Sequence, residues 1–143
     1  MTLIDANLLL YAVDSSAPQH EAAKSWLDEE LSSDRPTGFA WLALLAFLRV
    51  STNPRVYHRP LAVPEALDHI GAWLGHPGSI VLAPGRRHMP ILRSLLEPRG
   101  TAANLTSDAH LAAIAIERNA LLFSADRDFA RFEGLRWANP LSR

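Results

Sequence analysis

Three aspartates far apart in the chain, Asp5, Asp108 and Asp126, are the side chains with the most chemical potential. Each stands just before a stretch of helical character. Taken singly, each reads as a helix cap that satisfies free N–H groups and complements the helix dipole. Taken together they allow a different reading. Carboxylates gathered within a few ångströms repel one another and raise at least one pKa. A divalent cation removes that penalty, and an all-oxygen donor set suits Mg²⁺ or Mn²⁺ rather than zinc. Such an ion lowers the pKa of a bound water, and a second ion can stabilise a leaving oxygen. The sequence has no Walker loop, Gly-rich dinucleotide fingerprint or ordered Ser-His-Asp set that would supply other chemistry. Metal-assisted hydrolysis of a phosphodiester is the expected reaction, provided the acids meet.

Whether they meet depends on the elements that carry them. Thr2–Asp5 reads as a short strand and Ala6–Val13 as the helix that follows it. Pro18 to Ser32 is an amphipathic helix with Ala23, Trp26, Leu27 and Leu31 on one face. The run Phe39 to Thr52 predicts a helix buried on most sides, ending before Asn53-Pro54. Pro64–Leu74 is a further amphipathic helix, Ser79–Leu82 a strand, and Met89–Glu97 a helix with Pro90 in its first turn. Thr106, Ser107 and Asp108 offer capping side chains before the helix Ala109–Arg118. Leu121–Ser124 reads as a strand, Asp126–Phe132 as a helical turn, and Leu135–Ala138 as a last strand. Strands alternating with helices imply an α/β fold with a mostly parallel sheet. In such a sheet ligands bind beyond the carboxyl ends of the strands. Asp5 and Asp126 lie there, and the N-terminus of a crossover helix, with Asp108, returns to the same rim.

Composition narrows the class. The 143 residues are 48% hydrophobic and 20% charged with a formal net charge of −1, which fits one folded domain over 1–143 and excludes a disordered tail. With no cysteine there is no disulfide framework, thiolate metal site or thiol nucleophile, so a reducing, cytoplasmic setting is expected. The longest apolar run, Phe39–Leu48, is too short to span a bilayer, so no membrane partner is expected.

The motifs Thr-Leu-Ile-Asp5-Ala-Asn7, Thr106-Ser107-Asp108-Ala-His-Leu-Ala-Ala and Ser124-Ala-Asp126-Arg-Asp128-Phe129 resemble the three acidic motifs of PIN-domain nucleases. Phe-Leu-Arg49-Val-Ser-Thr-Asn-Pro-Arg55-Val-Tyr and the closing Trp-Ala-Asn-Pro-Leu are similar, more narrowly, to the VapC toxins of type II toxin–antitoxin pairs. The resemblance runs over nearly the whole chain. It implies a PIN-like α/β/α sandwich, an endoribonuclease dependent on Mg²⁺ or Mn²⁺, a homodimer, and neutralisation by a small cognate antitoxin of the VapB type. Carried onto this chain, Asp5 and Asp108 are the principal metal ligands and Asp126 completes the cluster. Asn7 and Ser124 orient carboxylates or water, and Asp128 is a solvated or capping residue. One position departs from the pattern: where many PIN nucleases carry a Glu three residues before Arg49, this chain has Ala46. No Asp or Glu occurs between Arg35 and Pro64 to replace it. Three acids hold a second metal weakly, so a one-metal site, or a second ion recruited with the substrate, is expected. The same departure motivates the alternative of a catalytically silent PIN-like module that binds RNA or regulates.

All of the fourteen basic residues except Lys24 are arginine, and the segment between Arg35 and Pro64 carries Arg49, Arg55 and Arg59 against no acid. Arginine pairs bidentately with phosphate and stacks on bases. Arg49 and Arg55 are therefore the expected RNA contacts. Arg49 sits at the end of an apolar helix near the proposed acids; Arg55 sits in the following loop. Arg86-Arg87-His88, at a helix start where positive charge opposes the dipole, hints at a second basic contact. His110, two residues beyond Asp108, is turned away from the carboxylate on a helix and reads as structural.

Overall fold

The computed structural model describes residues 1–142. Five short strands form one sheet: β1 (Thr2–Ile4), β2 (Thr37–Phe39), β3 (Ser79–Val81), β4 (Leu121–Phe123) and β5 (Trp137–Ala138). Their spatial order is β3-β2-β1-β4-β5, and all four pairings are parallel. The helices are α1 (Ala6–Val13), α2 (His20–Leu31), α3 (Trp41–Ser51), α4 (Val63–Leu74), α5 (His88–Leu96) and α6 (Thr106–Glu117). Three 3₁₀ turns, Glu97–Arg99, Ala103–Leu105 and Arg127–Arg131, complete the described elements.

Side-chain alternation along the strands divides the interior into two layers. Leu3 and Leu122 point to one face and pack with Leu95 of α5 and the small residues Ala109, Ala112, Ala113 and Ala115 of α6. Ile4, Phe39 and Phe123 point to the other face and pack with α1, α2, α3 and α4. There Phe47 meets Trp73 edge to face at 4.8 Å, and Trp26 meets Phe123 at 5.0 Å. Helices on both faces of a parallel sheet make the α/β/α sandwich that the alternating pattern predicts.

Several boundaries differ from the sequence expectation by a residue or two, and two larger differences matter at the rim. The run from Phe39 does not begin a helix. Thr37-Gly38-Phe39 is strand β2, fully buried between β1 and β3, and α3 starts only at Trp41. A three-residue strand centred on glycine has no alternation to detect, but its glycine is required. A Cβ on Gly38 would lie 2.4 Å from the Thr2 carbonyl oxygen and 2.6 Å from Leu82 Cδ1. Likewise Thr106, Ser107 and Asp108 do not cap α6. The 3₁₀ turn Ala103–Leu105 feeds directly into the helix, Leu105 is the cap without a side-chain bond, and Asp108 lies inside the first turn.

The basic triplet at the start of α5 also has a structural use. Glu117, at the end of α6, accepts hydrogen bonds from the backbone N–H groups of Gly85 (2.7 Å) and Arg87 (3.0 Å). These bonds hold its carboxyl below the usual glutamate range. In return the Arg87 guanidinium donates to the Glu117 carbonyl at 2.8 Å. Each helix end thus receives the charge that its dipole favours, and Arg87 is committed to packing α5 on α6.

Candidate active site

The rim at the carboxyl ends of β1 and β4 is organised by a buried hydroxyl. Ser124, immediately after β4, is fully buried. Its Oγ donates to Asp5 Oδ2 at 2.7 Å and accepts from Asn7 Nδ2 at 3.1 Å and from the Asp126 backbone N–H at 3.0 Å. One donated and two accepted bonds use the full capacity of a hydroxyl. Asn7 Oδ1 accepts from the Ala125 N–H, so the first turn of α1 is tied to the end of β4 from both ends of the amide. The Trp137 indole N–H closes the other side by donating to the Ser124 carbonyl at 3.1 Å. Asp5 is consequently held at one oxygen by Ser124 and at the other by its own helix, through the Ala6 N–H at 2.8 Å.

Asp108 faces Asp5 across a cavity of about 180 Å³. Ser107, Ala6 and Arg49 line the same space, and Leu42, Ala43, Ala46 and Leu111 give it an apolar wall. Removal from water raises the Asp5 carboxyl above its ordinary range; the Asp126 charge adds to this, while the bonds from Ser124 and Ala6 oppose it. Asp108 has no capping bond to offset the same effect. Its pKa is pushed up to about 6, first by partial burial and then by the charges of Asp126, Asp5 and Asp128, with Arg131 working against them. Asp126 itself caps the following 3₁₀ turn by accepting from the Asp128 N–H at 2.8 Å. That bond orients one of its oxygens along its own turn. Among the described residues no three His, Cys, Asp or Glu side chains come close enough to form a ready metal cage. The donor set nevertheless fits a hard cation. Two carboxylates face one cavity, both are destabilised as anions by their surroundings, and Mg²⁺ sites in proteins often have only one or two carboxylates and retain several waters.

The model of the PIN domain family matches residues 2–135. The chain belongs to the PIN-domain family. Over 140 residues it is 45% identical to Ribonuclease VapC37 of Mycobacterium tuberculosis, covering 98% of this chain and 97% of that one. It is 42% identical over 141 residues to Ribonuclease VapC33 of the same species, with 99% of each covered. Among solved structures it resembles VapBC2 from Rickettsia felis bound to a promoter DNA fragment, at a TM-score of 0.71, 16% identity and coverage of 96% of this chain and 97% of that one. VapBC-1 from nontypeable Haemophilus influenzae follows at 0.68 and 13%, with 99% and 98% covered. At these identities the structures establish the fold; the VapC relatives place the chain within the family. PIN-domain nucleases of this kind depend on a metal ion.

Within this PIN domain most of the residues singled out from sequence come together. Asp5, Asn7, Ser124 and Asp126 form one hydrogen-bonded unit, and Asp108 and Arg49 join Asp5 at the cavity. Arg49 pairs with no carboxylate among the described residues. Ala46, at the position of the absent acid, lies on the apolar wall of the same cavity. Arg55 stands apart, exposed on the loop after α3, its N–H bonded to Asn53 Oδ1 at 2.9 Å. Its neighbour Tyr57 is half-buried and lines a separate cavity with Leu10, Phe47 and Leu61. Asp128 pairs with Arg131 at 2.8 Å on the surface. His110 meets His88 of α5, Nδ1 to Nε2, at 3.0 Å. Sequence reasoning did not find Ser107 as a cavity residue or Arg131 as the cation acting on Asp108. The spacing of Arg131 from Asp128, one 3₁₀ turn, was the available signal for the second.

Proposed function

We propose that this chain is the toxin of a VapBC-type pair, a metal-dependent endoribonuclease that acts from Asp5 and Asp108 at the rim of its sheet. One observation supports this most directly. Two carboxylates far apart in the chain share a cavity with an arginine that forms no ion pair among the described residues, in a protein similar along its whole length to ribonucleases of the VapC group. Asp5, Asp108 and, through a rotation of its side chain, Asp126 would hold Mg²⁺, with Mn²⁺ as a substitute. When bound, the ion supplies a water of lowered pKa and positive charge beside the phosphate.

The protein groups do the positioning. Ser124 and Asn7 fix the orientation of Asp5, so it does not have to be reordered when substrate arrives. Arg49 offers a planar cation to the RNA phosphate across from the acids, and Arg55, exposed on the loop after α3, would meet a more distant phosphate of the same strand. The apolar wall of Leu42, Ala43 and Leu111 lowers the local dielectric and strengthens each of these charge interactions. With Ala46 in place of an acid, a single resident ion is expected, with any second ion entering on the substrate phosphate.

A VapB-type antitoxin is the expected protein partner and a homodimer the expected assembly, in the cytoplasm, with one PIN domain over 1–143. The exposed apolar side chains Trp41 and Leu45 of α3 and Val63 and Leu67 of α4 suit such contacts. Among the described residues no helix is long and apolar enough to cross a membrane.

RNA cleavage in Mg²⁺ against EDTA tests the assignment. Cutting is expected in Mg²⁺ alone and is expected to vanish in Asp5→Ala. Cleavage that persists in Asp5→Ala refutes the role given to the acids. Ala46 favours a second reading, a silent RNA-binding module; RNA bound without metal and left intact across many sequences would select it.

A further inference from the structure

A second and larger depression, of about 400 Å³, shares no lining residue with the acid cavity. One wall is the end of α5 and the 3₁₀ turn after it, with Ser94, Pro98 and Arg99; the other is the segment Arg131 to Gly134. Both walls continue into the candidate site. The chain after Arg99 runs through the turn Ala103–Leu105 into the helical turn that carries Asp108. Arg131 pairs with Asp128, whose N–H is bonded to Asp126. The Arg131 charge is also felt at Asp108. The same two segments therefore build the acid rim and this cleft.

The cleft contains a guanidinium already held in place. Arg99 is exposed, donates to the Arg131 carbonyl, and lies 5.9 Å from the centroid of the Phe132 ring. Phe132 is itself buried and cannot turn outward. The other charges nearby are mostly matched: Arg131 with Asp128 and Arg93 with Glu97, both at the surface. Glu133 is the one carboxylate on the wall, and among the described residues Arg99 forms an ion pair with none. A guanidinium anchored beside a ring by cation–π attraction, with one donor engaged, keeps its remaining donors and its solvent side for a ligand. That geometry suits a phosphate taken bidentately and a base stacked flat. Holding the side chain in advance reduces the entropy lost on binding. The cleft volume lies in the range of about 300–1,000 Å³ typical of small-molecule sites, enough for a nucleotide and too small for a helix.

We propose that this cleft holds a nucleotide of the RNA flanking the scissile bond, with Arg99 binding its phosphate and stacking under its base. The proposal rests on the ribonuclease reading and adds a second point of attachment, which fixes where along the strand the acids cut. Arg99 is a positioning residue, remote from the reacting atoms.

The test uses the full chain carrying Asp5→Ala, so that RNA is bound and not cut. Fluorescein-labelled single-stranded oligoribonucleotides of mixed sequence are titrated by anisotropy at several salt concentrations in Mg²⁺. Adding Arg99→Ala is expected to weaken binding about fivefold, as for loss of a charged hydrogen bond partly open to solvent. It should also lower the slope of log affinity against log salt by about 0.7, the value for one phosphate on a single strand. Arg99→Lys, which keeps the charge and loses the flat stacking face, should restore the slope and only part of the affinity. Arg93→Ala, at the same end of α5 but matched by Glu97, should change neither. In the cleaving protein Arg99→Ala should raise KM more than it lowers kcat and should spread the cut positions. Affinity and slope unaltered in Arg99→Ala, in a protein that otherwise cuts RNA, overturn the cleft and leave the nuclease reading intact. Unsubstituted protein that neither binds nor cuts RNA overturns both.

Discussion

Replacing Asp108 by asparagine removes a charge that the fold holds at a cost. The folded Asp108 carboxyl keeps its proton up to about pH 6, against an ordinary value of 3.8. Between those values the folded chain binds more protons than the unfolded one, so stability falls as pH rises through the window and stays lower above it. For a carboxylate wholly withdrawn from water the gap would be worth about 3 kcal/mol. Asp108 is only half-buried, and solvent screening reduces the figure to about 1 kcal/mol. The asparagine side chain has the same shape and no charge. In EDTA at about pH 7.5 the variant should melt about 3 °C above the unsubstituted protein, and at about pH 4 the two should coincide. Differential scanning calorimetry across that range reads the effect directly. Added Mg²⁺ should reverse the order, because only the chain with Asp108 gains stability by binding the ion. RNA cleavage by the variant should fall by more than about 100-fold, the upper end of what losing a group that merely supports a metal ligand costs. A variant less stable at neutral pH, or an offset that is the same at both pH values, would refute the reasoning. It would mean that Arg131 or Arg49 stabilises the ionised Asp108 more than its neighbouring acids and its burial destabilise it.

Other perturbations separate the supporting groups. Ser124→Ala leaves the Asn7 amide and the Asp126 N–H without their shared acceptor; urea denaturation should show a loss of about 2 kcal/mol. Its initial rate of RNA cleavage should drop about 10- to 100-fold, since Asp5 is no longer oriented. Ala46→Glu adds a carboxylate to the cavity wall. It should lower the melting temperature in EDTA at neutral pH and tighten divalent-ion binding several-fold by titration calorimetry. Gly38→Ala drives a methyl group into the Thr2 carbonyl and Leu82. The clash involves backbone on a central strand, so a loss of about 3 kcal/mol or more and a shift of the denaturation midpoint to lower urea are expected.

The rim binds its parts together in a way that links chemistry to stability. Asp5 and Asp126 both serve as helix caps; Asp126 keeps its second oxygen for a ligand, while each Asp5 oxygen accepts one hydrogen bond and retains a second lone pair. Capping and metal binding are therefore concurrent uses of the same carboxylates, and the choice between them, posed by the sequence, does not arise at these two positions. It does arise at Asp108, where the helix begins without any side-chain cap. There the carboxyl receives no capping bond, and burial and the neighbouring acids disfavour its anion more than Arg131 favours it. That asymmetry marks Asp108 as the acid whose charge most needs a cation.

The primary structure carried the amphipathic helices α2 and α4, the strands β1 and β4 and the order of the acidic motifs, because periodic burial and local capping are written in residues a few positions apart. It placed Asp5, Asp108 and Asp126 at one edge because right-handed parallel crossovers leave little choice of where strand ends and helix starts go, while Asn7 and Ser124 entered only through the resemblance to PIN-domain nucleases. Packing alone settled what depends on distant partners. The bond from Ser124 to Asp5 joins residues 119 positions apart, and Glu117 reaches 32 positions back to hold the loop before α5 at Gly85. Strand β2 exists because Gly38 fits between Thr2 and Leu82, a fit that no property of Thr-Gly-Phe by itself announces. Arg99 is an ordinary surface arginine until Phe132 and the Arg131 carbonyl come up beside it. Contacts of this kind are set by the closing of the whole core, whose free energy is shared among many side chains and cannot be read from any short stretch of them.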